Sequence, residues 1–144
     1  MAKTTDAVAA EFAITGQMNR FFGALDRRDF EAMAAIMTPN AVWRRGGVDL
    51  QGREALLAAM AVRPDDRHSC HLLSNQTVTF ETQETAVLTF YSVAWVHVGP
   101  VDAKGIAPLT MPSSIGDYTA RFAKGAEGWQ LTDLRSIPRF RKEK

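Results

Sequence analysis

The chain has only one cysteine, Cys70, among its 144 residues. No disulfide can form within it, so the fold must be held by burial and hydrogen bonding, as suits a reducing compartment. It also lacks an excess of either charge. Seventeen Lys and Arg against sixteen Asp and Glu leave a net charge of +1, which gives no drive toward nucleic acid or anionic membrane. No stretch approaches the ~20 apolar residues needed to span a bilayer. The opening Met1-Ala2-Lys3-Thr4-Thr5-Asp6 has no apolar run of signal-peptide type, so a cytoplasmic location is expected. A Gly-rich phosphate loop, a Gly-x-Ser-x-Gly elbow and a Cys-x-x-Cys pair are all missing. No cofactor is expected.

What remains is an ordinary globular composition, 46% apolar and 23% charged, without repeats or low-complexity segments. A single domain over residues 1–144 is the natural reading, large enough to bury roughly 70% of its unfolded surface. The basic end, Arg139 to Lys144, reads as a frayed, solvated terminus.

Along the chain the period changes. Val8, Phe12, Met18, Phe21, Phe22 and Leu25 recur at helical spacing, with Asp6 as the expected N-cap. Asp29 is placed to cap a second short helix carrying Phe30, Met33, Ile36 and Met37, which Pro39 helps to end. A short strand is expected at 41–45, with Gly46-Gly47 as a turn. A third helix then starts at Gly52 with Leu56, Leu57 and Met60 on its buried side. From there, segments 67–81, 85–98, 113–124 and 128–137 alternate and are rich in Thr, Val and aromatic residues. Gly99 to Pro112, with three prolines and two glycines, reads as a longer loop.

Strands this long must twist and bend. The expected architecture is therefore α+β: a cone-shaped barrel in which three N-terminal helices pack on a strongly curved, mostly antiparallel sheet. The cone is a natural site for an apolar pocket with a few polar groups. Segment 85–98 is apolar on both faces, so a second subunit is expected to cover the convex side, giving a homodimer through the sheet.

Candidate chemistry centres on the histidines. His71 is the first candidate, because imidazole exchanges protons near neutral pH; the competing reading is a core histidine satisfied by a backbone carbonyl. His97, at the end of the next strand, is the second, against the reading of a solvent-exposed strand end. His68 lies three positions before His71, so the two point to opposite faces of a regular strand and cannot share a metal without a bulge. No metal site is expected. Asp26, ending the first helix on the side of Phe22, is positioned to orient an imidazole; alone it would be a turn residue. Cys70 points away from His71 and is read as packing.

Several strings resemble one known family. Phe21-Phe22-Gly23-Ala24-Leu25-Asp26-Arg27-Arg28-Asp29-Phe30, Met37-Thr38-Pro39-Asn40-Ala41-Val42-Trp43, Leu50-Gln51-Gly52-Arg53-Glu54-Ala55, Arg67-His68-Ser69-Cys70-His71 and Gly128-Trp129-Gln130-Leu131 are similar to segments of SnoaL-like proteins. These form a branch of the nuclear transport factor 2-like superfamily. The resemblance spans nearly the whole chain and implies the cone fold, often dimeric. Within the superfamily the histidines look most like the scytalone dehydratase-type branch, where an aspartate after the first helix pairs with a histidine on the first long strand. That resemblance implies a catalytic set of His71 as general base or acid, Asp26 orienting it, and His97 binding substrate or shuttling a proton. Trp43, Tyr118 and Phe22 would line the substrate pocket. The branch's two carbonyl-polarising tyrosines are missing, with Leu25 and Arg45 or a neighbour in their places. The implied activity is a cofactor-independent lyase or isomerase acting on a small hydrophobic or cyclic, carbonyl-bearing molecule. The alternative is a non-catalytic small subunit of a ring-hydroxylating dioxygenase, or a ligand-binding protein of the same fold.

Overall fold

A computed structural model describes residues 2–143. The elements are α1 (Thr5–Asp26), α2 (Phe30–Ile36), β1 (Met37–Arg45), β2 (Val48–Gln51), α3 (Gly52–Ala61), β3 (Arg67–Phe80), β4 (Thr85–Val98), β5 (Ser114–Gly125) and β6 (Gly128–Arg141). Six strands form one mixed sheet in the order β2-β1-β6-β5-β4-β3. Only β1 and β6 run parallel; the other pairings are antiparallel. The expected helices and sheet are present, but the sheet does not close: β2 and β3 remain free edges, so "barrel" is corrected to an open, curved sheet.

Helix α1 buries Ile14, Met18, Phe21, Phe22 and Leu25, the i, i+4, i+7, i+8, i+11 stripe of an amphipathic helix. Fully burying such a side chain is worth about 2 kcal/mol. Val8 and Phe12 are exposed instead, because they fall on the helix face turned away from half-buried Ala10 and buried Ile14. The N-cap is Thr4, whose hydroxyl accepts from the Ala7 N–H, and not Asp6, which already lies inside the helix. Asp29 does cap α2, accepting from Ala32 N–H. Helix α2 stops at Ile36; Met37 opens β1, four residues earlier than the sequence pattern suggests. Pro39 falls in the irregular stretch between the paired residues Met37 and Val42, where its missing N–H breaks no ladder bond. Gly52 begins α3 at φ +86°, and a Cβ there would lie 3.0 Å from the Pro39 carbonyl oxygen.

A bulge bends β3 between Ser74 and Thr77, with Asn75 at φ +56°, a conformation that asparagine tolerates better than most residues. Alternation restarts beyond it: Arg67, Ser69, His71 and Leu73 face the helices before the bulge, and Gln76, Val78 and Phe80 after it. Strand β6 continues to Arg141, where it pairs with Ser114. Residues 139–141 are therefore strand and not a frayed end. No helix among the described residues is long and apolar enough to cross a membrane.

Candidate active site

Asp26 closes α1. A carboxylate at a helix C-terminus faces the unfavourable end of the backbone dipole, and no basic residue occupies that last turn. It is compensated from β3. Because β3 is an edge strand, some of its N–H groups have no ladder partner, and that of His71 donates to Asp26 Oδ2 at 2.8 Å. Ser69 Oγ donates to Asp26 Oδ1 at 2.8 Å, and the His71 ring meets the same oxygen through Nδ1 at 2.7 Å. Burial pushes the Asp26 carboxyl pKa up. The His71 ring, the Ser69 hydroxyl and the His71 backbone N–H more than offset that and hold it below its ordinary value. Facing a carboxylate that only accepts, Nδ1 is assigned the proton, so Nε2 is the nitrogen left for chemistry.

The His71 ring rests 4.9 Å from the Phe22 ring, centroid to centroid. Phe22 in turn meets Tyr118 edge-on at 5.5 Å, and Tyr118 stacks on Phe90 at 5.1 Å. The His71, Phe22 and Tyr118 rings border a cavity of about 180 Å³. Its apolar wall includes Phe22, Leu25, Trp43 and Val96, and its polar wall includes Ser69, His71, Tyr118 and Ser136. Burial raises the Tyr118 phenol pKa, while Ser136 and Arg45 act in the opposite direction. Tyr118 is therefore a neutral hydroxyl, able to donate, at neutral pH. Larger clefts of about 770 and 690 Å³ lie beside the first turn of α1 and beside the end of β6. Neither is lined by His71 or Asp26.

Of the residues singled out from sequence, Asp26, His71, Phe22, Trp43 and Tyr118 come together here. His97 does not. It pairs across the strands with His68, on the face opposite His71. The two imidazoles stack there at 6.2 Å, and His97 Nε2 lies 2.9 Å from the Pro100 carbonyl oxygen. The placement of His97 beside His71 is thus corrected: His71 is level with Ala94 on β4, and His97, three residues further, points away. Among the described residues no group of three or more His, Cys, Asp or Glu is placed to hold a metal ion.

Sequence reasoning missed Ser69 and three arginines that line the cavity, Arg63, Arg67 and, except as a place-holder, Arg45. Strand parity would have found two of them, since Ser69 and Arg67 lie two and four residues before His71. Arg63 lies in the break after α3 and donates to Ser69 Oγ at 2.9 Å; only the folded chain shows that contact. Arg28, at φ +62°, ties the α1–α2 turn to this corner. Its guanidinium donates to the carbonyls of Pro64, Arg67 and Arg63.

No curated protein matches the chain in sequence. Solved structures that resemble it include three with a shared fold. The LinA-type3 hexachlorocyclohexane dehydrochlorinase of Novosphingobium barchaimii is 16% identical, with a TM-score of 0.78 over 95% of this chain and 91% of that one. A scytalone dehydratase-like protein of Novosphingobium aromaticivorans is 16% identical, with a TM-score of 0.78 over 97% and 91%. An aromatic ring hydroxylase-like protein of the same species is 18% identical, with a TM-score of 0.74 over 92% and 91%. The profile of the SnoaL-like domain matches residues 6–135, so the chain belongs to the SnoaL-like domain family.

Proposed function

We propose that the protein is a cofactor-independent lyase or isomerase of dehydratase type, with His71 as its acid–base residue and Asp26 positioning it. The carrying observation is the 2.7 Å contact between His71 Nδ1 and Asp26 Oδ1 at the wall of the cavity that His71 lines. A neutral imidazole held this way offers Nε2 as a base, and the carboxylate stabilises the imidazolium once a proton arrives. On a cyclic carbonyl compound, Nε2 takes the proton alpha to the carbonyl, and the C–H electron pair moves into an enolate. Tyr118 is the candidate donor to the enolate oxygen. In a dehydration, the enolate re-forms the carbonyl and expels a β-hydroxyl, which leaves with its bonding pair and takes the proton from Nε2 as water. In an isomerisation, the proton returns to a different carbon. Two of the structural neighbours are named for eliminations, which supports this class.

The test is a screen of cyclic ketones and hydroxyketones for turnover, followed by His71→Ala. Activity is expected to drop about a hundredfold or more with the fold retained; undiminished turnover by that variant rejects the role. The second reading, a non-catalytic small subunit of a ring-hydroxylating dioxygenase, draws on the hydroxylase-like neighbour. Stable co-purification with a large oxygenase subunit would favour it.

A further inference from the structure

The cavity carries more positive charge than an apolar ring system calls for. Arg45, Arg63 and Arg67 all line it, each half-buried. Arg44, Arg121, Arg139 and Arg28 all reach carboxylates. Among the described residues, Arg45, Arg63 and Arg67 are in no such pair. Arg45 lies over the Trp43 ring at 4.7 Å, and the buried Nε atoms of Arg63 and Arg67 have no hydrogen-bond partner within the protein. Asp26, the carboxylate nearest this wall, is already committed to His71 and Ser69. Three half-buried cations at one wall, with only the already bonded Asp26 acting on Arg63 as a counter-charge, are costly. Burial, with Arg67, Arg28 and Arg45 close by, lowers the Arg63 pKa to about 10, which still leaves it charged at neutral pH.

We propose that this cavity takes a monocyclic carboxylic acid, bound as its carboxylate, with the guanidinium groups of Arg45, Arg63 and Arg67 supplying the counter-charge. A planar guanidinium fork matches a planar carboxylate and binds it through paired, charge-assisted hydrogen bonds. The size agrees: a cavity of about 150 Å³ accommodates benzene, and this one, at about 180 Å³, leaves room for one ring and a small substituent. The same cations favour negative charge developing on a nearby enolate oxygen. The inference names the substrate class for the site of His71, and rests on that reading only for the ligand's being a substrate.

Calorimetric titration of the intact protein with benzoate and with its neutral isostere benzamide tests it without any need for turnover. Benzoate is expected to bind at least about tenfold more tightly, with an affinity that weakens as salt is added. Arg45→Met and Arg67→Met, each checked for folding by circular dichroism, are expected to erase that preference. Equal affinity for the two ligands, no benzoate binding at millimolar concentration, or a preference that survives both substitutions overturns the carboxylate site. Tighter binding of inorganic phosphate than of benzoate overturns it too. None of these results touches the acid–base reading, which stands or falls on His71→Ala turnover.

Discussion

Asp26 shows how one side chain links stability to chemistry. Its pKa in the folded chain lies below the ordinary value of 3.8, so the unfolded chain takes up this proton at a higher pH than the folded one. The stabilisation it contributes is therefore complete above about pH 4 and drains away as pH falls through the lower folded value. Asp26→Asn is expected to cost about 2 kcal/mol at neutral pH, the scale of hydrogen bonds to a charged acceptor. That deficit should shrink steadily toward strongly acid conditions; urea denaturation of both proteins across the pH range checks it. A constant deficit at every pH would mean that the carboxylate charge contributes nothing. Asp26 was legible from sequence as a helix-end acid near Phe22. Its partnership with Ser69 was not, because that contact joins residues 43 positions apart.

Strand β5 controls the pocket through an absence. At Gly116, two residues before Tyr118 on the same face, an added Cβ would lie 3.2 Å from Tyr118 Cε2 and 3.4 Å from the Ile137 carbonyl oxygen. The missing side chain lets the tyrosine ring lean back along its strand, between Phe90 and Phe22. Gly116→Ala is expected to shift that ring, which would appear as a change in the ring-current shifts of the Phe22 and Phe90 protons by NMR. The global fold should survive at a cost of about 1–3 kcal/mol, the usual range for overpacking. Unchanged aromatic shifts would show that the ring does not depend on this gap. Strand β3 illustrates the other lesson at this scale. Its alternation was readable, and parity correctly separated His68 and Cys70 from His71. The bulge at Asn75 was not readable, because it is set by how the strand must bend to follow β4 and the helices.

The outer face of the sheet remains open in the isolated chain. Leu72, Val93, Ile115 and Phe140 line up across four strands, with Leu72 and Phe140 more than half exposed. Tyr91 and Ile137 form a neighbouring row with Asp117 between them. An apolar row of this kind is typical of an interaction surface, and the homodimer expected from sequence would cover it. Light scattering after size exclusion should then give twice 15.9 kDa, and Phe140→Asp should shift the protein to monomer while leaving it folded. A monomeric wild-type protein removes the dimer.

The sequence alone determined the period of each element, the order of helices and strands, the family resemblance, and the two residues His71 and Asp26. These follow from local rules: side-chain alternation, helical spacing and turn chemistry act over a few residues. Only the tertiary structure decided that the sheet stays open, that His97 faces away, and that Arg63, Arg67 and Ser69 share a cavity with His71. Those outcomes depend on cross-strand register and on where the break after α3 meets the end of α1, which no local pattern specifies. The overall charge is near zero, yet the fold gathers three arginines at a single wall.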